Sequence, residues 1–281
     1  MRRYKSFTSL STATVGCALL LVACGAEGEG EGEGQEGTGA APAISGEGAT
    51  GEGEGEGEGG AGEGEGEGEG EGTSSANLAS NDGAYLQALG QVRGHLFAFI
   101  TLYREGEFEM AATHAKHPGS ELYQALAPAI TARKQPGFAD GLTALTEALA
   151  NNGDVEIVYT QLLADIKQHQ PALSLGKMIV ALSGLTRTAA DEFKLGVGGT
   201  GAIINAHEYQ DAYGFLNTAK AILNDQTANG TAEKTAKTDA LAQIDIALEQ
   251  FGDLTAATSA GDGSKIYGAA ARMEITGLGL K

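Results

Sequence analysis

The chain has no tryptophan, five prolines and only two cysteines in 281 residues, and both cysteines fall within the first 24. From residue 25 onward there is no thiol. That excludes thiolate catalysis, zinc held by cysteines, iron–sulfur clusters, covalently attached haem and disulfides from everything downstream, so stability there comes from packing. Aromatic residues make up 6% of the chain, and 18 basic side chains face 37 acidic ones, for a net charge of −19. There is no basic face and no aromatic platform on which bases would stack, so a nucleic-acid partner is not expected. No apolar run approaches the roughly 20 residues that a membrane-spanning helix needs. The patterns G-x-x-x-x-G-K-[ST], H-E-x-x-H, G-x-S-x-G and C-x-x-C-H are all missing. No nucleophile stands out, and an enzyme is not expected.

What is present begins with a basic start (Arg2, Arg3, Lys5), polar residues 6–14 and an apolar run over residues 15–23. This order describes a secretory signal. It closes on Leu21-Val22-Ala23-Cys24-Gly25, and the first four of these resemble the lipobox of bacterial lipoproteins. The resemblance implies cleavage before Cys24, a diacylglyceryl group on its thiol, acylation of the new amino terminus and attachment to a lipid bilayer. Several acyl chains, at ~0.8 kcal/mol per buried CH₂, make such attachment lasting. Gly25 in place of Asp implies, by the enterobacterial sorting rule, the outer rather than the inner membrane. Cys17 leaves with the signal, so Cys24 is the one cysteine the mature chain keeps.

Residues 25–72 are almost a Gly-Glu repeat, with 21 Gly and 15 Glu among 48 positions and no Lys, Arg or aromatic residue. Glycine loses the most entropy on ordering, and evenly spaced carboxylates repel one another. The expectation is a disordered, solvated tether with a root-mean-square span of roughly 35–40 Å before self-repulsion extends it. Calcium sites need ligands at set geometry, which such a tract does not supply. Most of the chain's net negative charge sits here. Residues 73–281 carry 15 basic and 22 acidic side chains.

Those remaining residues are enough for one sizeable core. Ala and Leu dominate them, and apolar residues recur at helical spacing. The first helix starts near Asp82 and carries Leu86, Leu89, Leu96, Ile100 and Tyr103 in step. A short second covers residues 107–115; the third begins at Ser120 as N-cap and is disturbed by Pro128. The fourth carries Phe138, Leu142, Leu145 and Leu149 and stops at Asn151-Asn152-Gly153. A fifth follows Asp154 and ends before Pro171; the sixth covers residues 174–195, the seventh 202–224, the eighth 232–251 and the last 265–275. No alternating strand pattern appears. The expected fold is an all-α bundle of eight or nine helices, read as two sub-bundles joined near the glycines at 196–201. Those glycines satisfy G-x-G-x-x-G, but helix rather than strand precedes them, so they read as a joint and not a dinucleotide loop.

The chemistry-bearing segment is His114-Ala115-Lys116-His117-Pro118-Gly119-Ser120-Glu121. Two histidines three apart converge if one helix runs through them, and Glu121 is near enough to join. Histidine nitrogen with carboxylate suits a divalent transition metal such as zinc, iron, copper or nickel. His95 stands beside Val92, Leu96 and Phe99, facing inward. Glu208 stands in an apolar stripe with Ile204, Ala212, Phe215 and Leu216, with Asp211 one turn on. A buried carboxylate there needs a partner: an arginine such as Arg187 or Arg133, a histidine, or a metal. The candidate ligand set is therefore His95, His114, His117, Glu121 and Glu208, while His207 and His169 are expected at the surface.

The pieces Gly94-His95-Leu96, His114-x-x-His117-Pro118-x-x-Glu121 and Glu208-Tyr209-Gln210-Asp211-Ala212 resemble segments of exported helical bacterial proteins, a group that implies no particular function. The combination of helical bundle and histidines resembles, more distantly, the imelysin-like periplasmic proteins linked to iron handling. Their motif is G-x-H-x-x-E. Here Ala98, His117, Ser120 and Gln210 stand three residues after His95, His114, His117 and His207, so that activity is not carried over. Two functions are expected to compete: an anchored envelope protein whose domain binds a metal or small ligand, and a structural lipoprotein that displays a helical surface to an envelope protein partner.

Overall fold

The computed structural model describes residues 75–280, with side chains from Asn77 onward. The signal, Cys24 and the Gly-Glu tract lie outside the described residues. Among the described residues the order is α1 (Ser75–Ser80), α2 (Asp82–Glu105), α3 (Phe108–His117), a π-turn (Pro118–Leu122), α4 (Tyr123–Ala132), α5 (Ala139–Ala150), α6 (Val155–Gln168), α7 (Leu175–Gly196), α8 (Ala206–Asn224), α9 (Gly230–Leu248) and α10 (Gly263–Gly279). The fold is all-α; the extended pairings among these residues are two isolated bridges, Val197 with Ile203 and Ala202 with Thr258.

The second helix is the axis of the fold. Asn81 caps it by accepting from the backbone N–H groups of Gly83 and Ala84, and Gly106 ends it at φ 89° with its N–H on the Leu102 carbonyl. Between those caps, residues such as Leu86, Leu89, Val92, Leu96, Phe99 and Leu102 are buried. Burying each such side chain contributes ~1.5–3 kcal/mol. Around this axis α7, α8, α9 and α10 pack on one another as a four-helix unit, and α2 lies against α7 and α8. The other side of α2 carries α3 and α6, with α5 against both α3 and α6.

Three expectations need correction. The glycines at 196–201 do not join two sub-bundles, because α7 and α8 on either side of them pack directly together within one continuous core. Ser120 caps no helix. Pro118 has no N–H to return to the His114 carbonyl, so the chain widens into a π-turn, with the Tyr123 N–H on the Pro118 carbonyl, and runs straight on into α4. Ser120 sits inside that turn, and its hydroxyl donates back to the Lys116 and His117 carbonyls. The last difference is α1, which the periodicity did not show.

One crossing decides where the site forms. A Cβ on Gly214 would overlap the carbonyl of Gly94, and a Cβ on Gly94 would overlap the Phe215 ring. Two glycines thus let α2 and α8 touch backbone to backbone. His95 follows Gly94, and Asp211 lies three residues before Gly214, so the closest approach brings those two side chains together.

Candidate metal centre

Four residues from three helices converge: His95 of α2, His114 of α3, and His207 and Asp211 of α8 each offer a ligand atom, and all four atoms lie within 4.8 Å of one another. Asp211 is the centre. Its Oδ1 lies 2.6 Å from His95 Nδ1 and 2.9 Å from His114 Nδ1, and its Oδ2 lies 3.2 Å from His207 Nδ1. The His114 and His207 rings stack, with centroids 4.3 Å apart and planes 6° from parallel, and Phe215 meets His95 edge-on at 5.2 Å.

The electrostatics follow from this crowding. Burial alone would raise the pKa of Asp211, but the imidazoles around it, His95 foremost and His114 next, hold it well below the usual carboxylate range. Burial pushes His207 down to about 4; Asp211 pulls it up, and His114, His95 and His117 push it further down.

Gln210 sets the state of His114. Its amide nitrogen donates to the Leu254 carbonyl at 3.1 Å, which fixes the amide orientation and leaves Oε1 as the acceptor 2.8 Å from His114 Nε2. His114 therefore carries its proton on Nε2. In the neutral ring Nδ1 is then a bare lone pair, aimed at a carboxylate oxygen 2.9 Å away. Two lone pairs at that distance repel unless a positive charge lies between or beside them, supplied by a second proton or a metal ion. Metal-ligating histidines donate their other ring N–H to a carboxylate, a carbonyl or water, and His114 Nε2 is held in this way by Gln210.

The expected residues take different places. His95 and His114 are in the converging set. His117 is buried beside it, its ring centroid 4.7 Å from that of His95 and 5.4 Å from that of His207, and its Nε2 lies 3.4 Å from Glu121 Oε2. Glu121 is half-exposed. Glu208 is buried, but its carboxylate accepts from the Asn205 side-chain amide at 3.4 Å across the capping turn of α8. Neither arginine considered for Glu208 is its partner: Arg133 bonds Asp82 and Arg187 bonds Glu274. Ile204 does not share its stripe, for it precedes α8 and is exposed.

Two histidines expected at the surface are not there. His207 belongs to the converging set. His169 is buried, its Nδ1 3.1 Å from Gln135 Oε1 and 3.4 Å from the Tyr85 hydroxyl. The spacing His207-x-x-x-Asp211 was the available signal for the first of these, since residues four apart share a helix face.

The four helices α7 to α10 have a counterpart among known families. Residues 176–274 match the iron permease-associated 4-helix bundle domain. No curated protein and no solved structure matches the chain. The bundle domain match covers about a third of the sequence. It contains His207 and Asp211, while His95 and His114 come from helices that precede it, so the cluster forms where the bundle domain meets α2 and α3. A cavity of about 430 Å³ between α3 and α5, lined by Tyr103, Phe108, Leu149 and Val155, includes none of the four residues.

Proposed function

We propose that the helical domain binds a divalent transition-metal ion, iron(II) first among them, at His95, His114, His207 and Asp211. We also propose that the chain works as a binding protein, not an enzyme, held to a cell-envelope membrane through lipidated Cys24. The observation that carries the metal reading is His114, buried with its Nε2 proton committed to Gln210 and its Nδ1 facing Asp211. Three imidazoles and one carboxylate, with no thiolate, suit iron, zinc, nickel or copper more than calcium or magnesium. Ligand atoms of one ion with bonds near 2.1 Å lie roughly 3.0–3.4 Å apart. Of the separations around Asp211, 3.2 Å lies within that range, while 2.9 and 2.6 Å are shorter and would open on binding. The similarity of residues 176–274 to an iron permease-associated domain favours iron within this group.

The anchoring half of the reading is supported by the lipobox-like Leu21-Val22-Ala23-Cys24. No helix among the described residues is long and apolar enough to cross a membrane. The test is anaerobic titration of the full chain with iron(II), followed by calorimetry and by metal analysis after gel filtration. One ion per chain in the wild type, with none retained by Asp211→Asn, is the expected result. Equal retention by both would remove the metal reading.

A further inference from the structure

We infer that His117 and Glu121 form a second, outer metal position through which an ion reaches the four inner residues. This rests on the reading that the inner residues bind a metal, and it adds a route and a second ligand pair to it. Three observations converge. The pair is already made, His117 Nε2 standing 3.4 Å from Glu121 Oε2. It is continuous with the inner set, because the His117 ring lies 4.7 Å from that of His95 and 5.4 Å from that of His207. Exposure also falls from Glu121 through His117 to the innermost residues: 48% for the Glu121 side chain, 9% for His117, 3% for His95, 2% for Asp211 and 0% for His114, while His207 keeps 19%.

That gradient matters because a hydrated dication does not enter a buried site in one step. Stripping its water without replacing the ligands leaves an uncompensated charge at low dielectric, which is strongly unfavourable. An exposed carboxylate can take the ion while most of its water remains. The adjoining imidazole then replaces water, and His207 and His95 lie within one ring contact of that position. The ion changes partners a few at a time and is never without them.

The π-turn is what places the outer pair. Pro118–Leu122 takes the chain from the end of α3 into α4, and Glu121 stands within this turn while His117 immediately precedes it. Inside this turn the Ser120 hydroxyl donates to the Lys116 and His117 carbonyls. Widened turns of this kind inside helices are frequent at functional sites.

Stopped-flow mixing of the full chain with cobalt(II), read by its visible absorption, tests the route. Glu121→Gln is expected to slow uptake about tenfold while the final spectrum and one-ion stoichiometry match the wild type. Glu109→Gln removes another exposed charge, from α3 outside the route, and is expected to leave the rate unchanged. An unaltered rate in Glu121→Gln, or an equal slowing in Glu109→Gln, overturns the outer position. Loss of the final bound state in Glu121→Gln overturns it too, because Glu121 would then be an inner ligand. Absence of any cobalt signal in the wild type removes the inner site itself, which separates that failure from the failure of the route.

Discussion

Gly214 lies directly against the carbonyl of Gly94, and this contact sets how close α8 comes to α2. The separation of His95 from Asp211 is inherited from it. Gly94→Ala places a methyl group where the Phe215 ring now lies. The expected outcome is a loss of ~1–3 kcal/mol from overpacking and at least a tenfold loss of metal affinity, read by denaturant unfolding and by titration. As a contrast, a Cβ at Gly268, inside α10, meets nothing; Gly268→Ala should gain ~0.5–1 kcal/mol and bind metal as the wild type does. Wild-type affinity in Gly94→Ala would show that the crossing does not position the site.

Metal binding should appear as stability. An ion at about 100 times its dissociation constant adds about 2.7 kcal/mol, and for a domain of this size each kcal/mol raises Tm by ~2–4 °C. Thermal unfolding followed by circular dichroism should therefore shift upward by roughly 5–10 °C with iron(II) or cobalt(II). Asp211→Asn keeps the side-chain size and should still unfold cooperatively, with no shift.

Acid should weaken the fold through His169, away from the metal site. Burial lowers its pKa below the ordinary 6.5, against a smaller upward pull from Asp165. A histidine depressed in the folded state binds its proton more readily when unfolded, so its contribution is complete above about pH 6.5 and declines as pH falls below it. His169→Asn loses the contacts to Gln135 and Tyr85 but is spared that proton-linked loss. The Tm gap between wild type and His169→Asn should be widest at pH 7.5 and narrow towards pH 5. A gap that widens on acidification would contradict the assignment.

Anchoring has its own test. Cys24→Ser should move the chain from the membrane fraction of lysed cells to the soluble fraction while leaving metal binding by the purified protein unchanged. Retention in the membrane fraction would sink the lipidation proposal.

Much of this fold was legible because its helices are punctuated. Asn151-Asn152-Gly153 after α5, Asp154 before α6 and Pro171 after it bracket apolar periods that the structure reproduces. The six residues of α1 contain one large apolar side chain, Leu78, which is too little to show a period. The continuity of α3 with α4 was hidden because Pro118 reads as a break, whereas here the helix widens around it. At the site, apolar neighbours pointed to His95 correctly. They misled at α8, where Glu208, Tyr209, Gln210, Asp211 and Ala212 are all buried. A helix enclosed on every side has no single buried face, so choosing the Glu208 stripe meant setting His207 aside.

The cluster has one more consequence, for the mechanics of the fold. His114 and Asp211 are 97 residues apart in the chain, and from residue 25 onward there is no cysteine. An ion shared by α2, α3 and α8 would close loops on the order of a hundred residues, the span over which a disulfide is worth ~4–5 kcal/mol in chain entropy. Unlike a disulfide, that cross-link opens when the ion leaves, so the supply of metal outside would set how tightly the helices preceding residue 176 are fastened to the bundle behind them.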